Sequence, residues 1–414
     1  MKEEENFGGC ERTVTEYVRK RKKELGITKP KGYVPLEHKP GEAQVDFGEC
    51  ENYIENGVKY AGAHLVMTFP YSNERLSQLT YGQSFECLAE SMVAIFEKIG
   101  GVPKYIVFDN ASTIVATIGK NVDSREMTER FERFALHYNF EPIFANPASG
   151  WEKGSVERGV GYTRKNIFVP VPRFTDIHVY NRDVVLSKCD AINKKGHYIK
   201  DDPIEDLFEK DLEALLPLPS TPFETTTYTT ANTDKCGLFK LDNGWSIYSS
   251  SPDLASSTVR LKITGTSVTV MDNENHEIVT HRRIFGDKKK KRHRKSIIWG
   301  PYLDLIGRKP RAWFQSGFAE MAPDCLNDFL KKISNSDRGK IIRIISKITK
   351  EESFDTAISF ICEALDLGCY DHEGIVKLYK KFFPDKETDS DAVATTMEEK
   401  NADEIDLSQY DDLL

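Results

Sequence analysis

A short apolar run closed by an acid, YIVFD at residues 105–109, constrains the fold of this chain more than any other feature. Successive apolar residues without polar alternation indicate a strand that is buried on both faces, as at the centre of a helix-covered sheet. A carboxylate at the end of such a strand costs free energy unless it has a partner. The run therefore predicts a central strand in an α/β domain, with Asp109 at its carboxyl end.

The segments on either side of this run alternate between strand and helix patterns. Residues 57–69 are typical of a strand, and Ser84 can cap a helix with one apolar face that continues to Ile99. Further strands are predicted at 43–50, 75–82 and 141–145, and further helices at 123–138 and 154–167. A strand meander followed by alternating helices and strands is the order of a ribonuclease-H-like sheet covered by helices.

The rest of the chain is predicted to form several smaller regions, so that the whole is a multidomain α/β protein. Alternating polar and apolar residues around a turn at Asp272–Asn275 indicate a small antiparallel β-barrel or sandwich. The predicted regions are 1–41 (a basic helix at 10–25 and a linker), 42–170 (the α/β domain), 171–223 (an irregular, partly helical connector), 224–286 (the barrel), 287–296 (a basic linker), 297–384 (a C-terminal helical region) and 385–414 (an acidic disordered tail).

The formal net charge of −8 hides two local extremes. Residues 385–414 contain 11 acidic and 2 basic residues, whereas residues 280–295 contain 9 basic and 1 acidic. Phosphates bind to local clusters of basic residues. The net charge of the whole chain therefore does not exclude a nucleic-acid partner. The N-terminus lacks the apolar segment of a secretory signal, and no apolar run approaches the roughly 20 residues of a membrane span. The eight cysteines form no CxxC pair, which favours reduced thiols in a cytosolic protein.

Three carboxylates lie at the strands and helices of the predicted α/β domain. Asp46 lies within a strand-like segment, Asp109 ends the apolar strand, and Glu157 lies in the first turns of a helix. Carboxylates that converge at one sheet edge repel one another and raise one another's pKa values. A hard divalent cation such as Mg²⁺ or Mn²⁺ removes that penalty, and two such ions about 4 Å apart support in-line displacement at phosphorus. The pattern therefore predicts a metal-dependent phosphoryl-transfer site.

Each carboxylate on its own has an ordinary structural explanation. An Asp after a strand is commonly a turn residue or a helix cap, and a Glu near a helix N-terminus is commonly a partner of the helix dipole. The order strand, strand, helix, with 62 and 47 intervening residues, favours the joint explanation as a site. His64 and His137 are interpreted as core or surface histidines rather than as ligands.

The segments around these carboxylates resemble the DDE transposases of IstA type, in the retroviral-integrase superfamily, which work with an AAA+ ATPase helper called IstB. The segments that carry the resemblance are GEAQVDFGE, IVFDNA, and NP followed by WEKGSVERGVGYTRK. The resemblance is close over residues 42–170 and extends to about residue 285. It implies that Asp46, Asp109 and Glu157 are the catalytic residues and metal ligands. It also implies Mg²⁺ as cofactor, with Mn²⁺ as a substitute and two ions per site.

The chain departs from this family at its N-terminus. IstA-type proteins begin with a helix-turn-helix that reads the transposon ends, and residues 1–41 hold one helix of it at most, as a remnant. Either the chain starts late or its true start lies upstream. Residues 1–41 therefore do not account for recognition of specific transposon ends. The predicted chemistry does not depend on them.

Basic residues near the predicted site are candidates for contact with DNA. Arg164 lies two helical turns after Glu157 on the same face, where integrase-like enzymes have a basic residue that touches DNA; the alternative is a solvated surface arginine. The run KKKKRHRK at 288–295 is interpreted as a strap along DNA, with a solvated linker or a localisation signal as alternatives. The predicted contacts are Asn146, Lys153, Arg158, Arg164, Lys165, Lys288, Lys289, Lys290, Lys291, Arg292, Arg294 and Lys295.

The sequence thus predicts a DNA transposase that cleaves and joins strands to move an insertion sequence. Two alternatives stay open: a catalytically inactive DNA-binding remnant, and an integrase or nuclease of the same fold with another DNA substrate. The expected partners are double-stranded DNA, further copies of the chain in a dimer or tetramer, and an AAA+ helper of IstB type, with no membrane. The expected location is the bacterial cytoplasm, in association with the nucleoid.

Overall fold

A computed structural model describes residues 11–26, 38–108, 115–117, 126–144, 154–197, 199–286 and 292–382. For residues 11, 23, 115–117, 126 and 154–158 it describes the backbone alone. The chain divides into two compact units. The first comprises Met1–Thr229, Leu261–Val268 and Arg282–Phe285, and the second comprises Thr230–Arg260, Thr269–His281 and Gly286–Leu414.

The first unit contains a mixed sheet and the helices around it. Its strands are β1 (Glu42–Glu55), β2 (Val58–Phe69), β3 (Glu74–Thr80), β4 (Tyr105–Phe108), β5 (Val115–Thr117), β6 (Glu126–Met127), β7 (Glu141–Phe144) and β8 (Arg173–Phe174). Its helices are α1 (Glu11–Glu24), α2 (Phe85–Ile99), α3 (Glu129–Tyr138), α4 (Gly154–Asn166), α5 (Ile177–Tyr180), α6 (Leu186–Asn193) and α7 (Ile204–Glu213).

Strand β1 lies near the centre of the main sheet, whose order is β3-β2-β1-β4-β7, with β8 also paired to β1. β2 runs antiparallel to β1 and β3, whereas β4 runs parallel to β1 and to β7. Asn56 and Gly57 have φ angles of 49° and 81° and form the tight turn between β1 and β2. This order confirms the predicted ribonuclease-H-like α/β architecture.

The ends of α2 follow the capping signals in the sequence. Ser84 Oγ accepts a hydrogen bond from the Cys87 N–H at 3.4 Å, and Gly100 ends the helix in the left-handed region at φ 73°. The helix predicted at 123–138 instead begins at Glu129. The helix prediction is wrong for Glu126–Met127, which pair with β5 in a short two-stranded sheet, whereas 123–125 lie outside the described residues.

The segment 171–223, predicted as an irregular, partly helical connector, contains α5, α6 and α7 and also belongs to the core of the first unit. A π-helical turn, Asn181–Val185, joins α5 to α6, and the side chains of Tyr180, Val185 and Cys189 are buried in the same hydrophobic cluster as the sheet. Asn181 Oδ1 accepts from the Leu79 N–H, and Asn181 Nδ2 donates to the Leu79 carbonyl, both at 2.8 Å. These bonds satisfy the outer edge of β3, which would otherwise be open to pairing with another strand.

The predicted small barrel is not confirmed, because its strands form two separate sheets in the described part of the chain. These strands are β9 (Thr227–Asn232), β10 (Leu238–Leu241), β11 (Ser246–Ser249), β12 (Thr258–Ile263), β13 (Ser267–Met271), β14 (Glu277–Arg282) and β15 (Arg294–Ser296). One sheet has the order β14-β13-β12-β9 and the other has the order β10-β11-β15. The region is formed of β-strands, as predicted, but in the described residues these strands do not close into a barrel.

The end of the predicted basic linker 287–296 is a strand. Arg294 pairs with Ser246 in β11, and the Arg294 N–H donates to the Trp245 carbonyl at 3.0 Å. The ring of His293 stacks on Trp245 with centroids 4.6 Å apart. Residues 294–296 are therefore part of the three-stranded sheet, while 287–291 lie outside the described residues.

The C-terminal part of the second unit is helical, as the periodicity of residues 297–384 indicates. Its helices are α8 (Leu303–Arg308), α9 (Gly317–Met321), α10 (Asp324–Lys332), α11 (Asn335–Glu351), α12 (Phe354–Asp366) and α13 (His372–Phe382). Trp313 is fully buried among them, and its Nε1 donates to Asn327 Oδ1 at 3.0 Å. The acidic segment 385–414 lies outside the described residues. Across the described ranges, no helix combines the length and apolar character that crossing a membrane requires.

Candidate active site

Asp46 lies on the central strand of the main sheet, with its side chain half-buried. It pairs with Val66 on β2, and its Oδ1 accepts a hydrogen bond from the Phe47 N–H at 2.8 Å. The strand setting predicted for Asp46 is therefore as observed. A carboxylate held on a rigid central strand has a defined position relative to the neighbouring strands, which is what a site for chemistry needs.

The register of β1 and β4 relates Asp46 to the predicted second carboxylate. Val45 pairs with Phe108 in the parallel β1–β4 ladder. Asp46 is the residue after Val45, and Asp109 is the residue after Phe108. Asp109 lies outside the described residues, so the observation concerns the strand that precedes it.

Helix α4 lies on the face of the sheet that carries Asp46. Side chains alternate along a strand, so that Gly48 shares the face of Asp46. A Cβ atom on Gly48 would lie 2.6 Å from Val160 Cγ1, and one on Gly159 would lie 2.9 Å from Thr68 Cγ2. The helix therefore approaches the sheet closely at two glycines, one on each side of the contact.

The third predicted carboxylate, Glu157, lies in the first turn of α4, two residues before Gly159. Its backbone is described, and its side chain is outside the described residues. The predicted helix at 154–167 is thus observed at Gly154–Asn166, on the same face of the sheet as Asp46.

His64 is buried between β2 and α4 and has no hydrogen-bond partner for either ring nitrogen among the described residues. Its ring packs on Phe168, with centroids 4.9 Å apart. Burial lowers the pKa of His64 to about 4, so the imidazole is neutral at physiological pH. These features agree with the interpretation of His64 as a core residue. His137, also interpreted as structural, is exposed, and its Nε2 lies 2.9 Å from the Thr221 carbonyl oxygen.

The predicted DNA-contact residues divide into three groups. Arg164 and Lys165 are exposed in the last turn of α4, and Arg292 and Lys295 are exposed while Arg294 is half-buried. Arg158 lies in α4, with only its backbone described. The residues outside the described part of the chain are Asn146, Lys153, Lys288, Lys289, Lys290 and Lys291.

Two arginines counted in the basic run 280–295 are instead used inside the first unit. Arg282 Nε donates to Glu55 Oε2 at 2.7 Å, and its guanidinium lies over the ring of Tyr81 at 3.7 Å. Arg283, 4% exposed, donates from Nη1 to Glu86 Oε2 at 2.8 Å. Burial by itself raises the pKa of Glu86, but the charge of Arg283 and the hydrogen bonds from Thr227 and Ser84 together outweigh it, so the net shift is downward. Neither arginine is therefore presented to a nucleic acid in this arrangement.

A group of basic side chains beside α4 was missed by sequence reasoning. Arg75 is the second residue of β3, and Lys195 and Lys200 follow α6. Tyr162 on α4 lies between two of them: the Arg75 guanidinium is 5.2 Å from its ring centroid, and Lys195 Nζ is 3.1 Å from its hydroxyl. No run of basic residues marks these positions, because residues far apart in the sequence meet only in the fold.

In the described residues, no group of three or more His, Cys, Asp or Glu side chains is placed to hold a metal ion. That finding does not bear on the predicted triad, because Asp109 and the side chain of Glu157 lie outside those residues.

Comparison with known proteins gives relatives of one kind. No family model matches the chain. A transposase from Aminobacter aminovorans is 32% identical over 357 residues, covering 84% of this chain and 68% of the relative. A transposase for insertion sequences IS1326/IS1353 from Pseudomonas aeruginosa is 26% identical over 354 residues, with the same coverage. The transposase for insertion sequence element IS21, also from P. aeruginosa, is 30% identical over 190 residues, or 44% of this chain and 46% of the relative.

Solved structures with a similar fold include two from retroviral integrases. One is a simian T-cell lymphotropic virus intasome in complex with PP2A regulatory subunit B56 gamma, with a TM-score of 0.33, 12% identity, and coverage of 62% of this chain and 84% of that one. The other is the HTLV-2 integrase catalytic core domain in complex with magnesium, with a TM-score of 0.27, 15% identity, and coverage of 41% and 97%.

The sheet order and the strand and helix that carry Asp46 and Glu157 are those of a ribonuclease-H-like polynucleotidyl transferase. The chain belongs to the insertion-sequence transposases. The IS21 relative confirms the resemblance to the IstA type, and the function is DNA transposition. An inactive remnant, or a nuclease or integrase with another substrate, is not favoured.

Proposed function

We propose that Asp46, Asp109 and Glu157 carry out metal-dependent cleavage of DNA strands and their transfer to a target. The β1–β4 register is the observation that carries this proposal. Val45 and Phe108 are paired, and consecutive Cα atoms are about 3.8 Å apart, so Asp46 lies one residue beyond a position whose partner directly precedes Asp109 in the sequence. The position of α4 on the face of Asp46 supports the addition of Glu157.

The donor chemistry of these residues fits a divalent metal. All three are carboxylates, and oxygen ligands are what Mg²⁺ and Mn²⁺ prefer. The half-buried setting of Asp46 between β2 and β4 raises the cost of adjacent negative charges, which a cation would offset. We infer that the cofactor is Mg²⁺, with Mn²⁺ as a substitute, and that two ions bind per site. Bound there, the ions would activate an attacking oxygen and stabilise the leaving one.

The contribution of the protein itself is to hold the three carboxylates in fixed positions. β1 and β4 are central strands of the sheet, so Asp46 and the strand that precedes Asp109 belong to a rigid scaffold. Glu157 is held by α4, which cannot move away from the sheet without breaking the close contacts of Gly159 and Val160. Such placement supplies the orientation on which in-line displacement depends.

The DNA substrate needs contacts outside the site. We propose that Arg158, Arg164 and Lys165 on α4, together with Asn146 and Lys153, contact DNA near the carboxylates. Lys288–Lys291, Arg292, Arg294 and Lys295 would contact phosphates as a basic segment. The protein would act as a dimer or tetramer on DNA in the cytoplasm, with an IstB-type AAA+ helper, and the region 224–286 would form a small DNA-associated β domain.

Joining of a labelled DNA end in the presence of Mn²⁺ tests the proposal. Asp46→Asn, Asp109→Asn and Glu157→Gln are each expected to lower strand transfer at least about 1000-fold, because each removes an ionised metal ligand. DNA binding should change little, since affinity comes mostly from phosphate contacts. Retained joining in any of these variants would remove that residue from the site.

A matched control is Glu49→Gln, which neutralises an exposed carboxylate on β1 three residues from Asp46. It should join DNA at the rate of the unchanged chain. If the unchanged chain binds DNA but joins none with Mg²⁺ or Mn²⁺, the protein is an inactive remnant and the proposal is wrong.

A further inference from the structure

Several cations of the first unit gather on one side of α4, outside the proposed carboxylate site. Arg75 lies in the row of paired residues Gln44, Thr68 and Arg75, which crosses β1, β2 and β3. On β1, Gln44 is two residues from Asp46, and adjacent strands are about 4.8 Å apart. The Cα atom of Arg75 is therefore roughly 10–12 Å from the Cα atom of Asp46. Arg75 is therefore close enough to Asp46 to act on the same substrate.

The side chains of Tyr71 and Tyr162 contact these cations. Lys200 Nζ lies 3.5 Å from the ring centroid of Tyr71 and donates to the Tyr71 carbonyl at 2.6 Å. Lys195 Nζ lies 3.1 Å from the Tyr162 hydroxyl and 5.9 Å from its ring centroid, while the Arg75 guanidinium lies 5.2 Å from the same ring. Because these rings already contact cations, they hold the charges in place rather than offer a stacking surface for bases.

Acids near these lysines act on them at longer range than in an ion pair, as the buried Asp211 does on Lys200. Neither Lys195 nor Lys200 has a carboxylate within ion-pair distance among the described residues, whereas Lys98 on α2 pairs with Asp190 at 3.0 Å. The exposed Asp201 and Asp202 follow Lys200, so residues 194–202 carry a net charge of only +1. The positive potential therefore comes from the lysines acting together with Arg75 and the end of α4.

The local field has a detectable effect on a neighbouring histidine. Burial first, and then the charges of Lys200 and Arg75, lower the pKa of His197. The part of this shift that comes from Lys200 and Arg75, after the larger effect of burial, agrees with a positive potential here.

We propose that Arg75, Lys195 and Lys200, supported by Tyr71 and Tyr162, form a binding surface for the phosphates of duplex DNA alongside α4. Together with Arg164 and Lys165 in the last turn of α4, this surface extends the positive region away from the carboxylates. The inference rests on the proposed function for its ligand, because DNA is the polyanion on which this family acts. This surface contacts the phosphate backbone of the DNA rather than its bases.

The test compares two double variants of the full chain. Lys195→Gln with Lys200→Gln removes two cations from the surface, and Lys59→Gln with Lys104→Gln removes two exposed cations elsewhere in the same unit. Lys59 follows the β1–β2 turn and pairs with Ile54, eight residues along β1 from Asp46. Affinity for a random 30-base-pair duplex, with EDTA present so that no strand is cut, is measured by fluorescence anisotropy across a range of salt.

Each phosphate contact contributes about 0.9 to the slope of log affinity against log salt, so the surface variant should lose about 1–2 from that slope. The control variant should keep the slope of the unchanged chain. An unchanged slope in the surface variant overturns the inference. A loss seen with single-stranded but not duplex DNA also overturns it, because the assigned ligand is the duplex backbone.

Lys195→Glu alone guards against a folding defect, since Lys195 is exposed and its substitution leaves the Lys200–Tyr71 contact intact. It should weaken duplex binding several-fold with an unchanged melting temperature, and normal binding by this variant would count against the surface. The proposed strand transfer is assayed separately with Mn²⁺. Its failure in the unchanged chain would refute the proposed function while leaving the EDTA binding result interpretable.

Discussion

Gly159 and Thr68 set the distance between α4 and the sheet: a Cβ atom at Gly159 would lie 2.9 Å from Thr68 Cγ2. Real Cβ atoms do not approach that closely, so the helix can take this position only because residue 159 has no side chain. Glu157 lies two residues earlier in the first turn of the same helix. The contact therefore governs how near the proposed third carboxylate can come to the strand that carries Asp46.

Gly159→Ala is expected to lower strand transfer about tenfold or more, because a small displacement of a catalytic group has a large effect on rate. Adding Thr68→Ser should restore activity, since serine lacks the Cγ2 methyl that the new side chain would meet. Gly161→Ala is the matched control, because a Cβ there meets nothing within 4 Å among the described residues. Rates of end joining decide, and equal rates for the 159 and 161 variants would contradict the role of the contact.

Arg283→Met is expected to destabilise the first unit by about 3 kcal/mol, because it leaves the buried Glu86 carboxylate without its closest cation. Thermal unfolding followed by circular dichroism measures the effect. Arg133→Met, which breaks an exposed pair with Glu129, should have little effect. Adding Glu86→Gln to Arg283→Met should recover part of the loss, and a double variant no better than the single one would argue against this account.

Glu74→Gln is expected to change how stability depends on pH. Burial raises the pKa of Glu74 from 4.5 to about 8, with the charge of Asp190 adding to the shift. The folded chain therefore holds a proton that the unfolded chain releases, and stability falls as pH rises from about 4.5 to 8. The variant should match the unchanged chain at pH 4.5 and exceed it by up to a few kcal/mol above pH 8. Urea titrations across this range measure the stability of both proteins. The same pH dependence of stability in the variant and the unchanged chain would contradict the prediction.

Strand transfer is expected with Mg²⁺ or Mn²⁺ and only weakly with Ca²⁺. Calcium binds carboxylates with longer bonds and a looser geometry, which misplaces the reacting oxygens. End joining with each ion at equal concentration measures the difference, with DNA binding in Ca²⁺ as the control for assembly. Equal joining rates with all three ions would count against the proposed carboxylate site.

Changing Lys288–Lys291, Arg292, Arg294 and Lys295 to glutamine is expected to weaken DNA binding regardless of sequence and to flatten its salt dependence. Deleting residues 385–414 should tighten non-specific binding, because this acidic segment can compete with DNA for the basic one. Titration of both variants with random duplex DNA across a range of salt measures the effects. An unchanged slope in the basic variant would favour the solvated-linker alternative, in which only screening differs.

The main sheet and the location of the proposed site were accessible to sequence reasoning because their signals are local. The apolar run ending at Phe108, the cap at Ser84 and the helix that contains Glu157 all depend on residues that are neighbours in the chain. The role of 171–223 was misjudged for the opposite reason. Its helices are recognisable as core only once Asn181 is seen to bind the edge of β3, more than 100 positions away in the sequence.

The sequence by itself determined the order of strands and helices and the family of the protein, because both are written in periodicity and short motifs. Only the tertiary structure decided which charges are available. Arg282 and Arg283 look like part of a basic run, but they are neutralised by Glu55 and Glu86, whereas Arg75 and Lys195 are brought together from distant segments at Tyr162. Charge is a property of the sequence, but electrostatic potential depends on distance and burial, and these exist only in the folded chain.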